Sequence, residues 1–142
     1  MTPAMRAPPL SVCSGRLSAA TRSGGNLTVD ASASEHVDAA FVRRSEPDFA
    51  RLAGAGITLA APEVPLDARA ELLRLGRQYN FLNTASFTSG ELRTPQAREM
   101  LPLVDFLALN IDEAAVVAAL PADRPARDVA SAAVAALQSI QP

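Results

Sequence analysis

The sequence predicts an α/β fold, part of a three-layer α/β/α sandwich built on a mostly parallel sheet. Three observations predict it. Short apolar runs alternate with longer stretches of helical period, the pattern of βαβ units. The spacers between the short runs are long enough for right-handed crossovers. The run Val104-Asp105-Phe106-Leu107-Ala108-Leu109 ends in Asn110, with Glu113 three residues on, so a buried strand opens at its carboxyl end directly into a helix.

The elements follow in chain order. Residues 1–25 are rich in Pro, Ser, Ala and Gly without apolar periodicity, and are predicted to be a disordered leader. Its arginines and lack of acids also fit an organelle transit peptide, or an upstream frame started in error. A secretory signal is excluded, because no apolar block follows the first arginine. From Asn26 to Gln138 the pattern is that of one domain, with residues 139–142 as a tail. Leu27-Thr28-Val29 is a short strand. Ser34 caps a helix through Arg44, and a second short helix follows from Pro47 to Ala53. Gly54-Ala55-Gly56 stops it. Ile57–Ala61 is a strand ended by Pro62 and Pro65. Leu66–Gln78 is a helix with Leu66, Ala70 and Leu73 in one stripe, Leu72, Leu75 and Tyr79 beside it, and Asp67, Arg69, Glu71, Arg74 and Arg77 facing water. Asn80–Asn83 is a strand, Thr84–Gly90 a loop, and Pro95–Leu101 a helix. Phe106–Leu109 and Ile111–Ala119 form the next strand and helix. Pro121 to Pro125 breaks the chain before a last helix from Ala126 to Leu137, with Val129, Ala133 and Leu137 inward. A parallel sheet normally continues past such a helix, so the layout reads as cut.

Composition narrows the function. The chain has 142 residues, one domain's worth, and 49% of them are apolar, dominated by Ala, with no Trp. A small-residue core buries little area per side chain, which predicts marginal stability. All 13 basic residues are Arg. The absence of Lys excludes a Walker-type phosphate loop and a Schiff-base lysine. Charge is uneven: Arg6, Arg16 and Arg22 precede the first acid at Asp30, and the rest of the chain is acidic, which argues against a nucleic-acid surface. No run approaches the roughly 18 to 20 apolar residues that cross a bilayer. Cys13 stands alone, so no intrachain disulfide or cysteine metal cage forms, and the expected location is cytoplasmic.

The polar residues with the most to offer are Asn110 and Glu113. Asn at an N-cap with Glu three residues later is a capping box, each side chain satisfying a free N–H of the other. The same geometry serves a ligand, since a helix N-terminus at a strand's carboxyl end attracts phosphate and a carboxylate there can hold Mg²⁺ directly or through water. Other candidates are weaker. His36, the lone histidine, has no nucleophile motif near it. Arg43-Arg44 complements a helix end, and Asp112 and Glu113, being adjacent, diverge on a helix.

Asp105 to Ala114 is similar to the N-x-x-E motif of ribokinase-like (PfkB-type) carbohydrate kinases, which follows an apolar strand and ends in E-A. Pro62-Glu63-Val64-Pro65-Leu66 resembles that family's x-E-x-P-L step between strand and helix. Leu82-Asn83-Thr84-Ala85-Ser86 resembles its L-N-P-A-P loop, with Thr84 and Ser86 in place of both prolines. The resemblance runs over residues 54–138. It implies ATP-dependent transfer of the γ-phosphate to a sugar or nucleoside hydroxyl with Mg²⁺. Asn110 and Glu113 would place nucleotide phosphates and metal, Glu113 as the metal's carboxylate, while Glu63 and Asn83 would touch the sugar. The family's P-G-A-N segment, its glycine-rich sugar-binding lid region and its G-A-G-D signature do not occur in residues 1–142. The last carries the base and the anion hole, where even one lost donor costs ~3 kcal/mol of transition-state stabilisation. The expectation is therefore a kinase fragment inactive by itself. The alternative is a non-catalytic remnant or binding subunit that pairs its sheet edge with a partner chain or forms a homodimer.

Overall fold

The computed structural model describes residues 17–20, 26–29, 37–121 and 123–140. The chain divides into two compact units, residues 1–33 and 34–142. In the first, strands β1 (Leu17–Ala20) and β2 (Asn26–Val29) pair antiparallel, Leu17 opposite Val29 and Ala20 opposite Asn26. β2 is the strand predicted at Leu27–Val29, here separate from the unit that follows. Most of the predicted leader lies outside the described residues. Its described stretch, Leu17–Ala20, departs from the disorder expected there, because β2 supplies hydrogen-bond partners that composition does not reveal.

The second unit starts with two short helices, α1 (Ala39–Arg43) and α2 (Glu46–Arg51, with Pro47 in its first turn). The cap of α1 is Asp38, whose Oδ1 accepts from Phe41 N at 2.7 Å. The helix therefore begins later than a cap at Ser34, which lies outside the described residues, would place it. Then come β3 (Ile57–Ala60), α3 (Leu66–Gln78), β4 (Leu82–Ser86), α4 (Pro95–Met100), β5 (Phe106–Ala108), α5 (Ile111–Ala118) and α6 (Ala126–Gln138). β3, β4 and β5 form a parallel sheet in that order, in the register Leu59–Thr84–Phe106 and Ala60–Ala85–Leu107. This is a small α/β fold.

β4 starts later and runs further than predicted, through Ser86. The displaced start has a local cause. Asn80 takes the left-handed conformation at φ 57°. Phe81 N donates to Gly76 O at 2.8 Å and Asn80 N to Arg77 O at 3.4 Å, the paired bonds that close a helix C-terminus around such a residue. Asn80 and Phe81 thus end α3, and the strand begins only at Leu82.

The core lies on one face of the sheet. Ala60, Ala85 and, partly, Leu107 point into a cluster with Ala70 and Leu73 of α3, Phe87, Leu92, Ala97 and Met100 around α4, and Leu101 and Val104 before β5; Leu137 of α6 packs at its border. α5 lies along α6 over a second cluster, Ala114, Ala115, Val129 and Ala133. Within the second unit no described element covers the other face of the sheet: Ile57 is 70% exposed, Leu59 68%, Phe106 63% and Leu82 48%. Among the described residues helices pack on one face of the sheet only.

Two residues predicted to face water on α3 are buried, Arg69 and Glu71. The helix is enclosed on more than one side, since the sheet covers one flank and α1 another. Polar positions at the edge of its apolar stripe are enclosed with it, and each carries an ion pair.

Candidate functional site at the carboxyl rim of the sheet

Because the three strands are parallel, their carboxyl ends share one rim, where α/β sheets bind ligands. β5 delivers Asn110 to that rim two residues past its end. Asn110 is extended (φ −80°, ψ 177°) and caps α5. Its Oδ1 accepts from Glu113 N at 2.9 Å, and its own N–H donates to Glu113 Oε2 at 2.8 Å. A third bond runs from Asn110 Nδ2 to Glu113 Oε1 at 2.9 Å. The capping box predicted from the spacing is therefore complete. Each carboxylate oxygen of Glu113 takes one bond from Asn110, which leaves acceptor positions on both for a cation or its water shell. Asn110 is exposed and Glu113 half-buried, so the pair is accessible.

β3 delivers Glu63, in the turn between Pro62 and Pro65, where Val64 N donates to Ala61 O at 3.3 Å. Glu63 is half-buried and close enough to Arg69 for its charge to be felt there. Arg69, in the first turn of α3, is the residue that sequence reasoning missed. It pairs with Glu91 Oε1 at 2.7 Å, donates to Ser86 O at 2.7 Å, and lies over the Phe87 ring at 4.7 Å. Burial pulls its guanidinium down from the ordinary arginine value, and the charges of Glu91 and then Glu63 oppose that pull. Its Nε is buried with no hydrogen-bond partner. Glu91 is itself held by Thr88 N, which donates to Oε2 at 2.8 Å. The signal for Arg69 is in the spacing: Leu66, Arg69, Leu73 and Gly76 recur at helical intervals, so an arginine stands inside an apolar stripe.

Asn83 is not at the rim. It is the second residue of β4, 0% exposed, on the face that meets α3. Its Oδ1 accepts from Thr58 Oγ1, and its Nδ2 donates to Leu73 O and Leu103 O, each at 2.8 Å. Its backbone N–H donates to Asp105 Oδ2, also at 2.8 Å. The sugar contact implied by the resemblance is thereby corrected: this amide joins β3, α3 and the segment before β5, and its donors are already used. The reason is the register of β4, which turns residue 83 inward because the strand, not a loop, occupies residues 82–86.

A cleft of about 500 Å³ runs along α5, lined by Ser89, Arg93, Arg98, Asp112, Val116 and Leu120 among others. Arg98 Nε donates to Leu92 O at 3.1 Å, which steadies a cation at its edge. Among the described residues no group of three or more His, Cys, Asp or Glu side chains is placed to hold a metal ion. Among the described residues no helix is long and apolar enough to cross a membrane. Set beside protein-family models, curated proteins and solved structures, the chain finds no match.

Proposed function

We propose that this chain is the nucleotide-facing part of a ribokinase-like sugar or nucleoside kinase, which directs Mg·ATP to the β5–α5 junction and is inactive without the residues that supply base and anion hole. One observation carries the proposal: the Asn110–Glu113 box stands, accessible, at the carboxyl end of a parallel strand, with acceptor capacity left on its carboxylate. Glu113 would hold Mg²⁺ directly or through water, and Asn110 would fix the carboxylate's orientation. A single carboxylate suits Mg²⁺, which keeps several waters and takes its other ligands from phosphate oxygens. When bound, the ion would neutralise charge on the β- and γ-phosphates. The N-terminus of α5 adds unpaired N–H groups and the positive end of its dipole. Arg93 and Arg98, in the neighbouring cleft, contribute positive charge. Glu63 would accept hydrogen bonds from a sugar hydroxyl, a task that suits a carboxylate at a strand end.

The test separates capping from ligand binding. Glu113→Gln keeps an N3 side chain able to accept from Asn110 N, so the cap survives, but it removes the charge. Isothermal titration of Mg·ATP should show metal-dependent binding to the wild-type chain, weakened about 10-fold or more in Glu113→Gln, with the fold retained by circular dichroism. A coupled assay over a panel of sugars should show no turnover by the purified chain. Absence of Mg·ATP binding by the wild type, or equal binding by the variant, rejects the nucleotide reading. A second reading, a binding subunit without catalysis, draws support from the edges of β3 and β5, against which no further strand pairs among the described residues.

A further inference from the structure

The open face of the sheet is an apolar feature that the nucleotide site does not use. Ile57 and Leu59 of β3, Leu82 of β4 and Phe106 of β5 all point to it, between about half and seven-tenths exposed. Thr84 completes the middle of the face, half-buried. No charged side chain alternates to this side of any of the three strands. Parallel sheets normally have both faces covered. Four such side chains present on the order of 500 Å², the upper end of what a monomer leaves open.

We infer that this face is the interface of a homodimer, in which two copies of the chain stack sheet on sheet about a two-fold axis along β4. Three observations select a second copy as the occupant. The face carries no charge, so its own copy meets it without like-charge repulsion. Two such faces together bury on the order of 1,000 Å², where specific interfaces begin. The register sets Leu59, Thr84 and Phe106 in one row across the sheet. A two-fold axis along the middle strand therefore lays Leu59 of each copy over Phe106 of the other, with Thr84 on Thr84. Aligned sheets about 10 Å apart pack in this way, large side chains filling the gap. The inference is independent of the nucleotide reading, because the opposing surface lies on the sheet's face and not on its rim.

Sedimentation of the full chain, without ATP or Mg²⁺, over a micromolar concentration series tests it. The wild type should weigh twice the monomer. Leu59→Arg and Phe106→Glu, each of which sets a charge against an apolar residue at both two-fold contacts, should each weigh one monomer. Mixed in equal amounts they should return to the doubled mass. In the mixed pair the two introduced charges, opposite in sign, face each other at one contact, and the native Phe106 and Leu59 meet at the other. The substituted side chains are exposed in the monomer, and unchanged circular dichroism checks that the variants fold. If either variant unfolds, the wild-type mass decides alone. A wild type that stays monomeric, whether the face is covered by residues 1–36, by another kind of partner or by nothing, overturns the inference. So does a dimer that both variants leave intact.

Discussion

At the scale of single residues, Asn83 shows how one polar side chain can organise a small core. Three of its side-chain bonds reach three different segments, and no water is needed to satisfy it. Gly76 sits against it: a Cβ at residue 76 would overlap Asn83 Oδ1 and crowd Thr58 Cγ2, so the glycine permits α3 to approach the sheet. Removing the amide strands the Thr58 hydroxyl and leaves the Leu103 carbonyl without this donor, while Leu73 O, inside α3, loses only a second bond. Asn83→Ala is therefore expected to cost about 3 kcal/mol, read as a lower urea midpoint with an unchanged slope, since each stranded buried group costs roughly 1–3 kcal/mol. A residue that served only to touch substrate would leave that midpoint where it is. The spacing of Asn110 and Glu113 was enough to foresee their capping box, because a cap depends on neighbours three residues apart. The burial of Asn83 and Arg69 was not legible in the same way. It depends on which flank of a strand or helix is covered, and that is decided by α1, the sheet and Glu91, all distant in sequence.

At the scale of elements, α3 matched its predicted span from Leu66 to Gln78, and α4, β5, α5 and α6 matched to within a residue or so at each end. Proline at the starts, a long apolar period and the break at Pro121 to Pro125 are local signals that survive tertiary context. β4 starts later than its pattern predicts because Asn80 and Phe81, the predicted opening residues, are used by the closure of α3. A second helix closure has no suitable residue. Ala119 ends α5 in the left-handed region at φ 53°, with Leu120 N donating to Ala115 O at 3.0 Å and Ala119 N to Val116 O at 3.2 Å. Alanine meets a steric cost there that glycine does not. Ala119→Gly is expected to raise stability by about 0.5–1 kcal/mol, the strain relieved exceeding the entropy that glycine adds to the unfolded chain. Thermal melts should move upward by a few degrees. A lower melting temperature would mean that the left-handed closure costs alanine nothing.

For the molecule as a whole, α3 is the hub to which the neighbouring elements are tied by charge and hydrogen bonds. Arg43 of α1 reaches Glu71 at 2.8 Å, Arg69 reaches Glu91 at 2.7 Å, Arg77 reaches Asp105 at 3.1 Å, and Tyr79, at its end, donates to Glu46 of α2 at 2.9 Å. The hydrogen bond from Arg43 holds the Glu71 carboxyl below the ordinary glutamate range, and Arg74 adds to that pull. The hydrogen bond to Glu46 holds the Tyr79 hydroxyl above the ordinary tyrosine range. The signs follow from linkage. A carboxyl lowered in the folded state contributes stability above its unfolded value, and that contribution is lost as pH falls through the folded one. A phenol raised in the folded state contributes below its unfolded value and loses that contribution as pH rises. Both ties are therefore intact between the glutamate and tyrosine ranges, and melting temperature should be level there and fall on either side. Glu71→Gln removes the acid-side titration. Its melting temperature should lie below the wild type at neutral pH, and the gap should narrow as pH falls through the ordinary glutamate range and close once the lowered carboxyl of the folded state is protonated too. Equal gaps at pH 7 and pH 3 would show that residue 71 acts through packing alone, and that the charge joining α1 to α3 contributes nothing to the fold.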